Sequence, residues 1–489
     1  MRLYPTEARD HNARTTPVPL SNEQLRQFIA AGFLPLQSSL PASYHRLIFE
    51  RFDQISQSHG HFGNNLLPLV PEIGELFEDP IVKGALQTVL GKEYSMHPHR
   101  ALHSNPPGSP EQGFHKDSYW GYVRRVRNHR PWWVMIMYFP QSTPVRKGPT
   151  AVMSGSQHLN QQPADYCIPA SISGKAGSLV LIHYDIWHRK MLNQTEMNRY
   201  MFKFEFTRLR QPEPADRGVW IAPKRVVKPD LSPVWESIWD WLVGSDSSVD
   251  FGKNRAKATT INGLGKSDEW QGIRASYELA KCGEFAVPPL LDALQSNPNG
   301  YNEKRRYSDN GSLWRDDAVA RNAAHALVHI GRPAVHGLLA TLKNGVDRAR
   351  KHAAFALGEI GDKSATSGLV QALHDEEVHV RVAAIEALGL LQPTGLGVDG
   401  MLGALKDPAS EVRFDAALSL MRATTRTSTT LKAKSVPALG AALYDTNRYV
   451  SGYAAEALER IGTKTALAEL LPFLRTSRWC AHTDNQRPF

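Results

Sequence analysis

At 489 residues the chain is too long for one ordinary hydrophobic core, so we expect two or three domains. Hydrophobic residues make up 42% of the chain and charged residues 21%, as in ordinary globular proteins. The formal net charge of +9 divides into +4 for residues 1–250 and +5 for the remainder. This even spread, without a basic tail or a basic helix, argues against a nucleic-acid partner and leaves room for small anionic ligands.

The sequence carries no pattern typical of export or of a membrane span. The longest apolar runs, at 132–140 and 179–183, have the length of β-strands. The first seven residues mix positive and negative charges and lack the apolar core of a signal peptide. Cys167, Cys282 and Cys480 lie far apart and predict neither a disulfide framework nor a zinc ribbon. A cytoplasmic protein without a membrane partner is the simplest expectation.

The N-terminal half begins with helical patterns and continues with short apolar runs. The spacing of apolar residues predicts helices at 22–31, 44–58 and 72–90. The later runs are rich in aromatic and β-branched residues and are bounded by Gly and Pro, which is typical of the strands of a sandwich or barrel. These strands are expected at 132–139, 151–153, 178–183 and 199–207.

Two histidines and an aspartate in this half have the spacing of a metal site. His115 and Asp117 are two residues apart, so on a strand both side chains point to the same side. A neutral imidazole and a carboxylate can supply two neighbouring ligands to one cation, and a mononuclear iron(II) centre needs one more histidine. His188, which follows an apolar strand, is the candidate for the third ligand. Of the other histidines, His183 is expected to be a packed residue near the site and His158 a solvated loop residue.

Arg199 opens the next predicted strand, eleven residues after His188. A buried arginine is rare and requires an acidic partner that accepts two of its N–H groups. The distal carboxylate of 2-oxoglutarate would be such a partner while the 2-oxo acid end chelates the metal. Arg199 is therefore the candidate anchor for this co-substrate.

The order of these motifs resembles the phytanoyl-CoA dioxygenase family over about residues 20 to 210. The shared features are an HxD motif, a Gly-Pro pair followed by Gly-Ser-x-His, a strand ending in His, an Asn five residues later and an Arg eleven residues later. In this chain they are His115-Lys-Asp117, Gly148-Pro149 with Gly155-Ser156-Gln157-His158, His188, Asn193 and Arg199.

The resemblance implies a double-stranded β-helix, or jelly-roll, with flanking helices. It also implies iron(II) held by His115, Asp117 and His188, 2-oxoglutarate held by Arg199, and O2 as the second co-substrate. Related halogenases have a small residue in place of the carboxylate ligand, so the presence of Asp117 favours hydroxylation or another oxidation.

One departure from the family pattern affects the co-substrate site. Family members often carry a Lys ahead of Pro-Pro-Gly, where this chain has Asn105. We therefore expect either that Asn105 makes an altered contact with 2-oxoglutarate or that Arg100 or His103 supplies the missing one.

Candidate substrate-binding residues follow the HxD motif, and Asn193 is a further candidate. Tyr119 and Trp120 either stack on the substrate or cap the mouth of the barrel. Arg124 begins a basic segment that extends to Arg130. That segment is either a solvated or ion-paired loop or a site that captures a carboxylate, a phosphate or a CoA group.

From about residue 270 onward the sequence is helical and repetitive. Five segments share an alanine pair followed by a leucine, and most then reach a glycine. The shared leucines are separated by steps of 30, 31, 32 and 38 residues, and they are Leu327, Leu357, Leu388, Leu420 and Leu458. Alanine pairs let two helices approach closely, and one such unit buries its apolar face only against a neighbour. The units resemble HEAT repeats over about residues 270 to 475 and predict an all-α solenoid.

These patterns predict an oxygenase domain at 1–243, a linker at 244–268, a HEAT-type solenoid at 269–475 and a tail at 476–489. The leading hypothesis is an enzyme that hydroxylates a small organic molecule, anionic and carrier-bound ones included, with release of succinate and CO2. One alternative is a hydroxylase of proteins or carrier-bound groups whose repeats present the substrate. Another is a HEAT-repeat scaffold with an inactive oxygenase domain. Repeats of this kind also predict a protein partner.

Overall fold

The computed structural model describes residues 16–59, 64–117, 125–163, 167–244, 261–266, 268–296 and 317–476. Antiparallel sheets lie in the N-terminal part, which we call the sheet domain, and helical pairs form the part from 261 onward, which we call the solenoid. The predicted jelly-roll and the predicted all-α solenoid are both confirmed. The bounds of the two domains stay a prediction, because most of the linker and nearly all of the tail lie outside the described residues. In the portion that the structure describes, no helix combines the length and the hydrophobicity needed to span a membrane.

The sheet domain is built from two antiparallel sheets. The larger sheet has the strand order β1-β6-β3-β8-β2, and the smaller one has the order β5-β4-β7. Strands β3 and β6 are buried over their whole length, which explains why they read as unbroken apolar runs. The strands are β1 (Phe33–Gln37), β2 (Tyr94–Asn105), β3 (Trp133–Phe139), β4 (Thr150–Met153), β5 (Pro169–Ser171), β6 (Ser178–His183), β7 (His188–Lys190) and β8 (Arg199–Arg208).

Helices flank the larger sheet, and one predicted helix is divided. Where the sequence predicts one helix at 72–90, the structure has a 3₁₀ turn at Pro71–Gly74 followed by two helices. The break falls at Pro80, which has no backbone N–H, and the Asp79 side chain caps the second helix by accepting a hydrogen bond from the backbone N–H of Ile81. The helices of the sheet domain are α1 (Asn22–Ala31), α2 (Ala42–His59), α3 (Leu66–Leu69), α4 (Glu75–Glu78), α5 (Pro80–Leu90) and α6 (Ser232–Val243).

The helices of the solenoid form two rows. The inner row, which faces the sheet domain, consists of α7 (Glu269–Ala280), α9 (Ala318–Ile330), α11 (Asp347–Ile360), α13 (Val378–Leu390), α15 (Ser410–Thr424) and α17 (Arg448–Ile461). The outer row consists of α8 (Val287–Gln295), α10 (Val335–Asn344), α12 (Thr366–Ala372), α14 (Gly395–Ala404), α16 (Thr429–Ala442) and α18 (Lys464–Thr476). All five leucines shared by the repeats lie buried in the inner row.

A ladder of ion pairs connects successive repeats. In each step an arginine near the start of an inner helix donates from Nε and Nη2 to both carboxylate oxygens of an aspartate that precedes the next inner helix. This two-pronged geometry suits arginine and not lysine, so it fixes the spacing of neighbouring units. The pairs are Arg350–Asp375, Arg381–Asp407 and Arg413–Asp445.

The inner row packs against the sheet domain along its whole described length. Each of its six helices supplies at least one side chain to a polar or aromatic contact with that domain. The contacts are Asn160–Glu269, His129–His325, Arg130–Glu359, Arg125–Glu386, Arg125–Asp415 and Ser95–Glu456. Arg125 and Arg130 are therefore ion-paired at this interface, and Arg127 is ion-paired with Asp185 within the sheet domain, which supports that alternative over anion capture.

Candidate metal centre

Three side chains that could ligate a metal ion meet at the edge of the smaller sheet. His115 and His188 pair through their backbones, each N–H donating to the carbonyl of the other at 3.0 Å. Potential ligand atoms of His115, Asp117 and His188 all lie within 4.8 Å of one another. The bridge brings the HxD segment beside β7, so residues about seventy apart in the chain come to share one site.

The two imidazoles are oriented by backbone carbonyls. Nδ1 of His115 lies 3.1 Å from the carbonyl oxygen of Gly113, and Nδ1 of His188 lies 3.1 Å from that of Ile186. A proton on each Nδ1 would complete these hydrogen bonds and leave each Nε2 with a lone pair. This is the arrangement that metal-binding histidines require.

Charge in the site favours an ionised carboxylate beside neutral imidazole. Burial acts to raise the pKa of Asp117, but the charges of Lys203, His188 and His115 and the hydrogen bond from Lys203 together outweigh burial and hold that pKa below its usual value. Burial lowers the pKa of His188 to about 4, against the opposing effect of Asp117. At neutral pH His188 is therefore a neutral imidazole beside the carboxylate of Asp117, and these are donor types expected at an iron(II) site.

Lys203 is the main residue of this site that sequence reasoning missed. Its Nζ donates to Oδ2 of Asp117 at 2.9 Å, and both side chains are buried. The available signal was the period-two pattern of β8, in which Arg199, Lys203 and Glu205 share one face and phenylalanines occupy the other. Polar residues on the inner face of a buried strand indicate a site.

Arg199 is buried, with 1% of its surface exposed. Its Nε donates to the carbonyl of Gly148 at 2.9 Å, and its Nη1 donates to that of His103 at 3.3 Å. Within the described ranges, no carboxylate forms an ion pair with this guanidinium. Burial lowers the pKa of Arg199 to about 10, which leaves the group cationic at neutral pH. A buried cation without an anionic partner indicates a binding position for an anion.

The two asparagines predicted to contact ligands are hydrogen-bonded within the protein. Asn105 uses both side-chain N–H groups on the carbonyls of Gly148 and Met191, each at 3.0 Å. Asn193 uses both on the carbonyls of Asn105 and Met197, at 2.7 and 2.9 Å. Neither amide retains a donor for a ligand, so these side chains hold the loops around Arg199.

His103 lies on β2, on the face of the larger sheet that also carries Arg199 and Lys203. It lies opposite Met201 on the neighbouring strand, on the same face as Arg199. Its Nε2 is buried without a hydrogen-bond partner in the described part of the chain. Burial lowers the pKa of His103 to about 3, and the charges of Lys203, Asp117 and Arg199 also act on it. Of the two alternatives to Asn105, His103 lies on the face of the sheet that carries Arg199, whereas Arg100 lies opposite Phe204 on the other face.

The remaining predicted residues divide into two groups. Tyr119, Trp120 and Arg124 lie outside the described residues. The expectation that His158 is solvated was wrong, because its side chain is buried near His129 and His183 beneath the solenoid. His183 is packed as expected and accepts a hydrogen bond at Nδ1 from the backbone N–H of Asp185.

Comparison with known families bears on the solenoid. Residues 315–389 match a family model described as HEAT repeats, a stretch that includes helices α9 to α13. The HEAT prediction is confirmed for that stretch, and membership of the phytanoyl-CoA dioxygenase family stays a prediction. No curated protein sequence matches the chain.

Several solved structures of non-heme enzymes are similar to this chain at low identity. The alpha-ketoglutarate-dependent carbocyclase SnoK from nogalamycin biosynthesis is 15% identical with a TM-score of 0.33, over 40% of this chain and 87% of that one. HygX from Streptomyces hygroscopicus, with nickel and 2-oxoglutarate bound, is 13% identical with a TM-score of 0.33, over 39% and 88%. EctD from S. alaskensis, with 2-oxoglutarate and 5-hydroxyectoine, is 15% identical with a TM-score of 0.32, over 41% and 80%.

Proposed function

We propose that the chain is an iron(II)- and 2-oxoglutarate-dependent oxygenase that hydroxylates a small organic molecule. The observation that carries this proposal is the buried cation of Arg199, which has no carboxylate partner among the described residues. It shares the inner face of β8 with Lys203, whose ammonium contacts the carboxylate of the His-Asp-His group. A dicarboxylate with a chelating end would satisfy both positions.

The donor set suits iron(II) with open coordination positions. His115, Asp117 and His188 would hold the ion with two nitrogens and one oxygen, as in mononuclear oxygenases. One carboxylate of 2-oxoglutarate would pair with Arg199, whose guanidinium is already oriented by the carbonyls of Gly148 and His103.

When bound, iron(II) and 2-oxoglutarate supply the oxygen activation, in which one atom of O2 enters a C–H bond and the other enters succinate as CO2 leaves. The chain itself binds and orients. Arg199 sets the direction of the co-substrate, and the buried Asp117 and His188 keep the ligand geometry.

The interface with the solenoid favours a free small molecule over a substrate presented by the repeats. Repeats that present a substrate would need an inner row that is open to that substrate. Each inner helix instead packs on the sheet domain. A partner of the repeats would therefore meet the outer row, away from this face. The inactive-scaffold alternative does not account for a buried Arg199 that has no carboxylate partner in the part of the chain that the structure describes.

The test measures succinate formed from 2-oxoglutarate with iron(II) and O2, and separately the binding of Ni²⁺ as an inert metal. We expect the wild-type protein to form succinate, and Arg199→Ala to lose at least about tenfold in this turnover while it binds Ni²⁺ normally. Arg210→Ala, just beyond the same strand and partly exposed, is the matched control and should keep both properties. Unchanged succinate formation by Arg199→Ala would contradict the proposal.

The substrate class is tested by the stimulation of succinate release. A panel of free small molecules is compared with peptides and with acyl groups on a carrier, all with the full-length protein. Stimulation by free molecules supports the proposal, and stimulation by peptides or carriers alone would favour the alternative.

A further inference from the structure

The ammonium group of Lys203 is a buried charge that the proposed function leaves unused. Only 2% of this side chain is exposed, and its Nζ lies 2.9 Å from Oδ2 of Asp117. The other carboxylate nearby, that of Glu205, lies 3.9 Å from Nζ at its Oε1. Asp117, a candidate metal ligand, is therefore the close anionic neighbour of this lysine.

Among the described residues, the other titratable groups beside Lys203 on the inner face are His99, His103 and Glu205. Burial lowers the pKa of His99 to about 4 and that of His103 to about 3, so both imidazoles are neutral near pH 7. Burial also raises the pKa of Glu205 well above its usual value. Within the described part of the chain, Asp117 is thus the carboxylate closest to Lys203, and Arg199 adds a second cation further along β8.

A divalent ion would change this balance. The charges of Lys203 and Asp117 cancel, so an ion bound by the His-Asp-His group would contribute its full double positive charge to a poorly solvated site. With Arg199, the site would then hold three positive charges. A dianion that spans the ion and Arg199 would be strongly attracted, and the ion itself would be repelled by the neighbouring ammonium.

We propose that Lys203 sets the charge of this centre, so that the site binds a dianionic co-substrate tightly at the expense of its affinity for the metal ion. This inference rests on the proposed function and adds a specific role for one residue. Lys203 is a positioning residue, because it acts through Asp117 and through its charge and not by contact with a substrate.

The test uses full-length protein and two binding titrations: Ni²⁺ in the absence of 2-oxoglutarate, and 2-oxoglutarate to the Ni²⁺-loaded protein. Lys203→Gln removes the charge and keeps an N–H donor for Asp117. We expect the variant to bind Ni²⁺ about tenfold more tightly and 2-oxoglutarate about tenfold more weakly, because unit charges a few ångströms apart in a buried site interact at this scale. Lys203→Arg keeps the charge and should restore affinities close to those of the wild type.

Opposite changes in the two affinities separate this role from a structural one, since damage to the fold would weaken both. Lys203→Met removes both the charge and the N–H donor and serves as a second test. It should change the affinities for Ni²⁺ and for 2-oxoglutarate in the same directions as Lys203→Gln. Lys351→Gln is the matched control, because Lys351 is also buried near an aspartate, Asp317 at 3.8 Å, but lies in the solenoid. It should leave both affinities unchanged.

Weaker binding of both ligands, or no change in either, would overturn the inference while leaving the proposed function intact. A wild-type protein that binds Ni²⁺ but not 2-oxoglutarate would overturn the proposed function and this inference with it.

Discussion

The imidazole rings of His129 in the sheet domain and His325 in the solenoid are stacked, with centroids 3.6 Å apart and 4° between their planes. Nδ1 of His129 also lies 2.9 Å from the hydroxyl of Tyr277, on the first inner helix. Burial lowers the pKa of His325 to about 3 and that of His129 well below its usual value. Two neutral rings therefore join the domains, and a proton on either would place a cation beside His158 and Arg321.

This stack predicts a loss of stability in acid. In the unfolded chain both histidines would take up a proton near pH 6.5, whereas in the folded protein they resist protonation until far lower pH. Because the unfolded state binds more protons, the free energy of unfolding should fall as the pH drops from about 6.5 towards the folded pKa of His325.

The measurement is chemical denaturation at several values between pH 7 and 5. His325→Phe keeps an aromatic ring but cannot titrate, so it should reduce the slope with pH by up to about 1.4 kcal/mol per unit. Equal slopes for the wild type and the variant would show that the stack does not couple protonation to stability.

The ion pair between Arg125 and Asp415 is expected to contribute to the stability of the interface between the sheet domain and the solenoid. The Nη2 and Oδ2 atoms lie 2.6 Å apart, and both side chains are almost fully buried. Removing the Arg125 guanidinium would leave the carboxylate of Asp415 buried without this partner. The loss of one partner from a buried ion pair lowers the free energy of unfolding by about 3–5 kcal/mol. We expect the lower end, about 3 kcal/mol, for Arg125→Ala, because burial raises the pKa of Asp415 and lets it take up a proton instead.

Urea denaturation of the full-length protein measures this cost. Arg332→Ala is the control, because the Arg332 side chain is 87% exposed in its pair with Asp362. That variant should change the free energy of unfolding by no more than about 0.5 kcal/mol. Similar values for the two variants would mean that the interface contributes little.

The backbone conformation of Gly148 is expected to affect anion binding at Arg199. Its φ is +67°, and its carbonyl accepts from Nε of Arg199. A Cβ there would lie 2.7 Å from the carbonyl oxygen of Met191 and 2.9 Å from the backbone nitrogen of Asn193. Gly148→Ala should therefore displace the carbonyl that orients the guanidinium and weaken 2-oxoglutarate binding by at least about tenfold.

The matched control is Gly108→Ala. Gly108 has a similar φ of +70°, but an added Cβ would meet no atom within 4 Å. The Gly108→Ala variant has the same backbone strain, but its added Cβ does not collide with another atom. Titration of this Ni²⁺-loaded variant with 2-oxoglutarate should therefore give nearly the wild-type affinity. Equal losses in the two variants would assign the effect to strain alone.

Patterns within short stretches of sequence determined much of this protein. The repeated alanine pairs and leucines predicted the solenoid, because each helix of a repeat needs the same buried residues as its neighbours. The unbroken apolar runs predicted β3 and β6, since a strand buried on both faces has no polar alternation. The spacing of His115, Asp117, His188 and Arg199 singled out side chains that the fold then gathers into one region.

The tertiary structure alone decided which distant residues meet. Lys203 binds Asp117 across 86 positions of sequence, and Arg125 binds Asp415 across 290. No local period encodes such contacts, because they depend on how the strands pair and on how the inner row lies over the sheet domain. His158 reads as a solvated turn residue for the same reason, because its burial beside His129 and His183 depends on residues that are distant in sequence.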